Sequence, residues 1–199
     1  MNSRSLILRT LLSLLLLLPA LTLGAQETRE AILAFSAKVK AVDCDFTQTK
    51  ESSLLAEAAV STGHMTYRRP AYLEWQYQTP VPIAFIADGE QVGIRREDHT
   101  EPLTGNQGRT MKEMTRMIVG NIEGSALMDE KYFQTQYEET ADAIIVTLFP
   151  KKREMQKMWS RLLLYYDKAS LNATRFELYE ASGDLTTITF SKIHYEFSE

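Results

Sequence analysis

The sequence predicts a mainly β, α+β domain. An antiparallel meander of about ten strands follows one N-terminal helix, and a second helical segment interrupts it. Three observations carry this. The apolar period is two over most of the chain from Val42 onward. The apolar runs are joined by short turns such as Asp88-Gly89, whereas parallel pairs would need crossovers of a dozen residues or more. Helical periodicity is confined to the segments around Phe35 and Met114.

In chain order, residues 1–25 read as a cleavable export signal. Arg4 and Arg9 precede a leucine-dense run from Leu11 to Leu18, Pro19 breaks it, and the small residues Gly24 and Ala25 mark cleavage near Ala25. A membrane anchor fits less well, because the uncharged stretch from Thr10 to Gln26 is shorter than the roughly 20 residues that span a bilayer. The remaining domain, residues 26–199, is expected to be exported and to work outside the cytoplasm.

Removing Arg4 and Arg9 from 22 basic residues leaves 20 against 26 acidic ones, a formal charge of −6, which argues against nucleic acid as a partner. No second apolar run is long enough to cross a membrane, so the exported domain is expected to be soluble. Cys44 is the single cysteine, so an internal disulfide is excluded and packing alone must hold the fold. It lies far from Ala25, so it is not the acylation site of a lipoprotein. In an alternating segment it reads as a small buried hydrophobe rather than a reactive thiol.

Ala31, Ile32, Phe35 and Val39 recur at helical spacing and predict an amphipathic helix over 28–39. Strands are predicted at 43–51, 57–68, 71–78, 83–87 and 91–96, followed by an irregular polar stretch in which residues 105–108 form a turn. Met111, Met114, Met117 and Ile118 place a helix over 109–119, with a second short piece over 125–129. Strands then return at 131–139, 143–149, 158–166, 173–180 and 185–196. A sheet of this many strands curls or closes, and the two helices are available to cover an open end.

Catalytic patterns are missing. His64, His99 and His194 match no metal-ligand spacing, and there is neither a GxSxG elbow nor a phosphate-binding glycine loop. No metal or cofactor is expected. A lipid or cell-wall ester hydrolase using those histidines is the least supported reading.

The informative segment is Gly63 to Gly89, GHMTYRRPAYLEWQYQTPVPIAFIADG. Met65 and Tyr67 share one face and, after the interruption at Pro70, Leu73, Trp75 and Tyr77 share another. Large apolar side chains, with Phe46 and Phe85, thus line one side of a curved sheet. Pro70 has no amide hydrogen and holds Arg69 extended, which suits a bend between strands. By themselves these residues read as ordinary core.

The run FTQTK from Phe46 to Lys50, the Arg69-Pro70 pair followed by Tyr72 and Trp75, the Pro80 region and the Asp88-Gly89 turn resemble the periplasmic outer-membrane lipoprotein carriers of the LolA type. The resemblance covers about residues 31–94 in detail and the later strands in pattern. It implies an unclosed β-barrel lidded by helices, a monomer whose cavity takes the acyl chains of lipoproteins from an inner-membrane releasing complex and delivers them to an outer-membrane acceptor. It further implies a cavity lined by Phe46, Met65, Tyr67, Leu73, Trp75, Tyr77, Phe85, Met111, Met114, Met117 and Ile118. Arg69 occupies the position of the residue that latches the lid; an exposed strand-end charge is the alternative. The chain ends at Glu199, whereas many carriers of the family continue with another loop and strand, so donor and acceptor stay open.

Physical argument agrees with a shielding cavity, since each methylene hidden from water is worth about 0.8 kcal/mol. Methionine gives adaptable apolar contact, and four of the eight fall between Met111 and Met128. Packing against the sheet would demand the same residues. Lys151, Lys152, Arg153 and Lys157 form a basic run in a loop, either a solvated tip or a site that docks an acidic partner or lipid head groups. A carrier of another lipid, from a glycolipid or pigment pathway, is the alternative on the same fold.

Overall fold

The computed structural model describes residues 18–89, 91–97, 99–125 and 130–198. Helix α1 (Leu18–Lys38) runs directly into strand β1 (Val39–Glu51). Then come β2 (Ala59–Arg68), β3 (Tyr72–Thr79), β4 (Ile83–Asp88), β5 (Gln91–Arg96) and β6 (His99–Pro102). Helix α2 (Gly105–Ile122) separates these from β7 (Phe133–Glu139) and β8 (Ala143–Pro150). A single turn of helix, α3 (Arg153–Gln156), precedes β9 (Trp159–Asp167), β10 (Ala173–Glu180) and β11 (Leu185–Phe197).

All 11 described strands form one sheet in the order β6-β5-β4-β3-β2-β1-β11-β10-β9-β8-β7. Each neighbouring pair is antiparallel, as short turns require. The first six strands march outward from β1 to one edge, and the last five return from the other edge to β11. β11 pairs with β1 from Val39↔Phe197 to Glu51↔Leu185. The edges β6 and β7 are not paired with each other, so the barrel is unclosed. The segment that joins these two edges is α2.

Register places the large apolar residues in rows across the inner face. Residues paired directly opposite share a face, so Phe46 meets Gly63 and Phe190, Met65 meets Trp75, and Trp75 meets Phe85. The far half continues through Ile188, Phe176, Leu164 and Val146. Met65 and Tyr67 therefore lie on the same inner face as Leu73, Trp75 and Tyr77, because the bend at Arg69-Pro70 reverses the chain without flipping its sides.

Four expectations need correction. Among the described residues the N-terminal helix spans Leu18–Lys38 and does not start at Thr28, because no proline interrupts residues 20–38. Its buried stripe is Thr28, Ile32 and Ser36, with Phe35 half-buried; Ala31 is exposed and Val39 already belongs to β1. Residues 105–108 are not a turn: Gly105 (φ 60) and its neighbours begin α2. The polar stretch before them contains β6, an exposed edge strand with no alternation to betray it. Residues 126–129 of the expected short helical piece, with Met128, lie outside the described residues.

α1 closes one end of the barrel. Phe35 packs edge-on against Tyr195 and Phe197, with ring centroids 5.3 Å and 5.5 Å apart. Thr28 donates to Glu139, and Ser198 N donates to Lys38 O at 2.7 Å.

Candidate functional site: an apolar cavity beneath two helices

The alternation of β1, β3 and β11 aims Phe46, Trp75 and Phe190 into one aromatic cluster. Phe46 stacks on Trp75 at 4.2 Å, and Trp75 meets Phe190 edge-on at 6.3 Å. Gly63 makes this possible: a Cβ there would lie 2.4 Å from Phe46 Cζ and 2.1 Å from Gln76 O.

Beyond the cluster the inner face does not close on itself. A cavity of about 80 Å³ lies between the sheet and both helices, lined by Phe35 and Ser36 of α1 and by Ile118, Asn121 and Ile122 of α2. Its sheet wall includes Cys44, Met65, Trp75, Tyr166 and Tyr195. A second cavity, of about 260 Å³, lies between Leu73, Trp75, Tyr77 and Phe85 on the sheet and Met111, Met114 and Ile118 on α2. Trp75, Ile118 and Ile188 wall both, so displacing α2 would join them.

Of the residues expected to line a cavity, Met65, Leu73, Trp75, Tyr77, Phe85, Met111, Met114 and Ile118 do so. Phe46 and Met117 are buried in the packed core. Tyr67 is wholly buried and does something else: its hydroxyl donates to the Glu123 carboxylate at 2.5 Å, where Glu123 caps α2. Burial and this bond push the Tyr67 phenol well above its usual range. The turn after Glu123 is held close to α1, since a Cβ on Gly124 (φ +75) would come within 2.9 Å of Leu33 Cδ2.

Arg69 fastens the other helix. Its Nε donates to Val39 O at 2.6 Å and its Nη2 to Ser36 O at 3.0 Å, satisfying carbonyls that the end of α1 leaves unpaired. Arg68 points to the outer face, where it pairs with Asp43 at 2.7 Å.

Burial, reinforced by Asp45 and Asp43, pushes the Cys44 thiol up to about 12, so it stays protonated at neutral pH. His64 lies outside, hydrogen-bonded to Asp45 at 2.9 Å, and His99 and His194 are exposed. The three histidines do not converge on the cavity. Among the described residues no cluster of His, Cys, Asp and Glu could hold a metal ion.

Tyr166, Phe176, Ile188, Phe190 and Tyr195 complete the wall, and Glu123 ties the end of α2 to Tyr67; sequence reasoning did not single them out. The apolar alternation in 159–166 and 185–195 was the available signal for the wall residues. Nothing local marks Glu123.

The family model described as "Outer membrane lipoprotein carrier protein LolA" matches residues 37–198. The chain belongs to the LolA family. Two relatives, each called outer-membrane lipoprotein carrier protein, agree. One from Xanthomonas oryzae pv. oryzae is 24% identical over 163 residues, covering 82% of this chain and 76% of the relative. One from Ralstonia nicotianae is 27% identical over 183 residues, covering 88% and 81%. Among solved structures, the MucA/MucB complex of Pseudomonas aeruginosa matches with TM-score 0.50 at 10% identity, over 86% of this chain and 57% of that one, a likeness of fold alone. Within the LolA fold of this chain, the two covering helices and the cavities beneath them are the features able to host an apolar ligand.

Proposed function

We propose that residues 26–199 form a periplasmic carrier, released from a signal cleaved near Ala25, that shields lipoprotein acyl chains and shuttles them from the inner to the outer membrane. The observation that carries this reading is an apolar inner face covered by a helix whose removal joins two cavities. Among the described residues no helix is long and apolar enough to cross a membrane.

The energetics suit loading and release. Lifting α2 uncovers the buried Met117 and the half-buried Met111, Met114 and Ile118, at a cost of roughly 4–8 kcal/mol if full burial is worth ~1.5–3 kcal/mol and half-burial about half of that. Hiding about ten methylenes of an acyl chain returns ~8 kcal/mol. The terms nearly cancel, as a carrier needs if it is not to become a trap. Asn121 Oδ1, buried without a hydrogen-bond partner, tilts the closed state further towards opening. The inert thiol and the scattered histidines give no support to an ester hydrolase.

Depleting the protein should strand outer-membrane lipoproteins at the inner membrane, read by fractionation; normal sorting refutes the proposal. Mass spectrometry of co-purified ligand should find acylated protein. A free lipid instead would favour the carrier of a glycolipid or pigment intermediate.

A further inference from the structure

The surface charge is segregated. The outward side of α2 carries Arg109, Lys112 and Arg116, which together with Met158 and Trp159 line one groove. Lys151, Lys152, Arg153 and Lys157 follow in the segment that ends at Met158, and Lys131 lies beside it, since Lys131 and Lys152 both sit 5.6 Å from the ring of Tyr132. The described carboxylates in this sector are Glu113, paired with Arg116 at 2.7 Å, Glu154, 3.6 Å from Lys157, and Glu130. This sector therefore carries more described cations than carboxylates in a chain whose formal charge is −4, whereas the β1–β2 and β10–β11 side of the rim carries Glu51, Glu57, Glu180 and Asp184 beside Lys50.

Exposed apolar side chains gather at the same rim. Antiparallel register puts the end of β1, the start of β2, the end of β3 and the starts of β7 and β9 at one end of the barrel, opposite the end that α1 covers. Among the described residues, six of the seven exposed large hydrophobics lie there: Leu54 (91% exposed), Leu55, Val60, Val81 (63%), Tyr132 and Met158. Four separate loops and strand ends carry them. A protein partner needs a contiguous apolar core. Separate apolar tips, flanked by long basic side chains and a tyrosine, suit the head-group layer of a bilayer, where each tip inserts alone and each cation finds a phosphate.

We propose that this rim docks directly on an anionic phospholipid surface, with Leu54, Leu55, Val81, Tyr132 and Met158 entering the interface and the basic sector of α2 and the β8–β9 segment holding the head groups. The inference takes its purpose from the carrier reading, because a mouth seated on lipid lets acyl chains pass between bilayer and cavity without crossing water. Docking through α2 also places the lid against the membrane that supplies or receives the chains.

The test uses the signal-free protein without cargo and vesicles without protein. It should co-sediment with vesicles of phosphatidylcholine containing phosphatidylglycerol, bind pure phosphatidylcholine far more weakly, and be released by about 0.5 M NaCl. Each cation removed should weaken partitioning about fivefold, so Lys151→Ala with Lys152→Ala and Arg153→Ala loses roughly a hundredfold. Leu54→Ser with Leu55→Ser and Val81→Ser should lose at least about tenfold. Phe197→Ser, at the opposite end, should leave vesicle binding unchanged. Circular dichroism melting checks that each variant folds. No binding to anionic vesicles, equal binding by the variants, or binding only when an acceptor protein is embedded overturns the proposal. Uptake of a fluorescent long-chain fatty acid is measured in parallel: uptake without docking sinks the rim alone, and docking without uptake sinks the carrier reading instead.

Discussion

Gly63 leaves the room that the Phe46 ring fills, so a methyl group there has nowhere to go. Gly63→Ala should destabilise the protein by about 3 kcal/mol through overpacking, read as a lower urea midpoint with an unchanged slope. Tyr67→Phe keeps the ring and removes only the bond to Glu123. A hydrogen bond to a charged group is worth about 1.5–3 kcal/mol, so the lid should open about tenfold more often or better. Cys44, buried beneath it, reports this: its maleimide labelling rate should rise by that factor, and an unchanged rate would deny the bond any part in closure. At this scale the sheet wall was partly legible, because Met65, Leu73, Trp75 and Tyr77 follow a period of two that assigns them a face. Glu123 was not legible, since its partner is 56 residues away in sequence and only the folded register brings them together.

The strands are tied on their outer face by charge, and this gives the fold an acid-sensitive seam. Asp43 bonds Arg68 on β2 at 2.7 Å and Thr66 at 2.9 Å. Partial burial opposes ionisation, but these bonds and the nearby charges hold its carboxyl below the ordinary 3.8. A carboxyl lowered in this way stabilises the fold above its unfolded value and loses that contribution as pH falls through the folded one. The melting temperatures of wild type and Asp43→Asn should therefore differ at neutral pH and converge as pH falls below the ordinary 3.8 of the carboxyl. Arg69 acts on a different element: Arg69→Leu leaves the carbonyls of Ser36 and Val39 without their guanidinium partner and should loosen α1. Cargo should then be accepted but poorly passed on; transfer to acceptor membranes at the wild-type rate would remove Arg69 from the closing mechanism. Elements with a strong apolar period, such as β1 and β9, were readable to within a few residues. β6 escaped because His99–Pro102 is exposed throughout, and the start of α2 escaped because Gly105 and Asn106 carry turn chemistry in a helix stabilised by its later turns.

The whole molecule consists of a continuous sheet and covers of unequal security. Every described strand is hydrogen-bonded into the sheet, whereas α2 buries only Gly108, Met117 and Gly120 fully and ends on the Tyr67–Glu123 bond. Local stability follows buried contact and backbone pairing, so α2 belongs at the low end of the opening free energies and β1, β2 and β9 to β11 at the high end. Its position follows from topology, because the chain must cross from edge β6 to edge β7 and the unclosed face lies between them. Native-state amide exchange should accordingly show residues 109–122 exchanging through a local opening while the central strands exchange only with global unfolding. Bound acyl cargo should slow exchange at the cavity-facing strands and leave α2 as fast or faster, since cargo takes the place that α2 holds in the closed form. If the amides of α2 exchange only when β1 and β11 do, the helix is part of the core and not a lid. The two cavities beneath it would then be packing defects with no route for a ligand to enter.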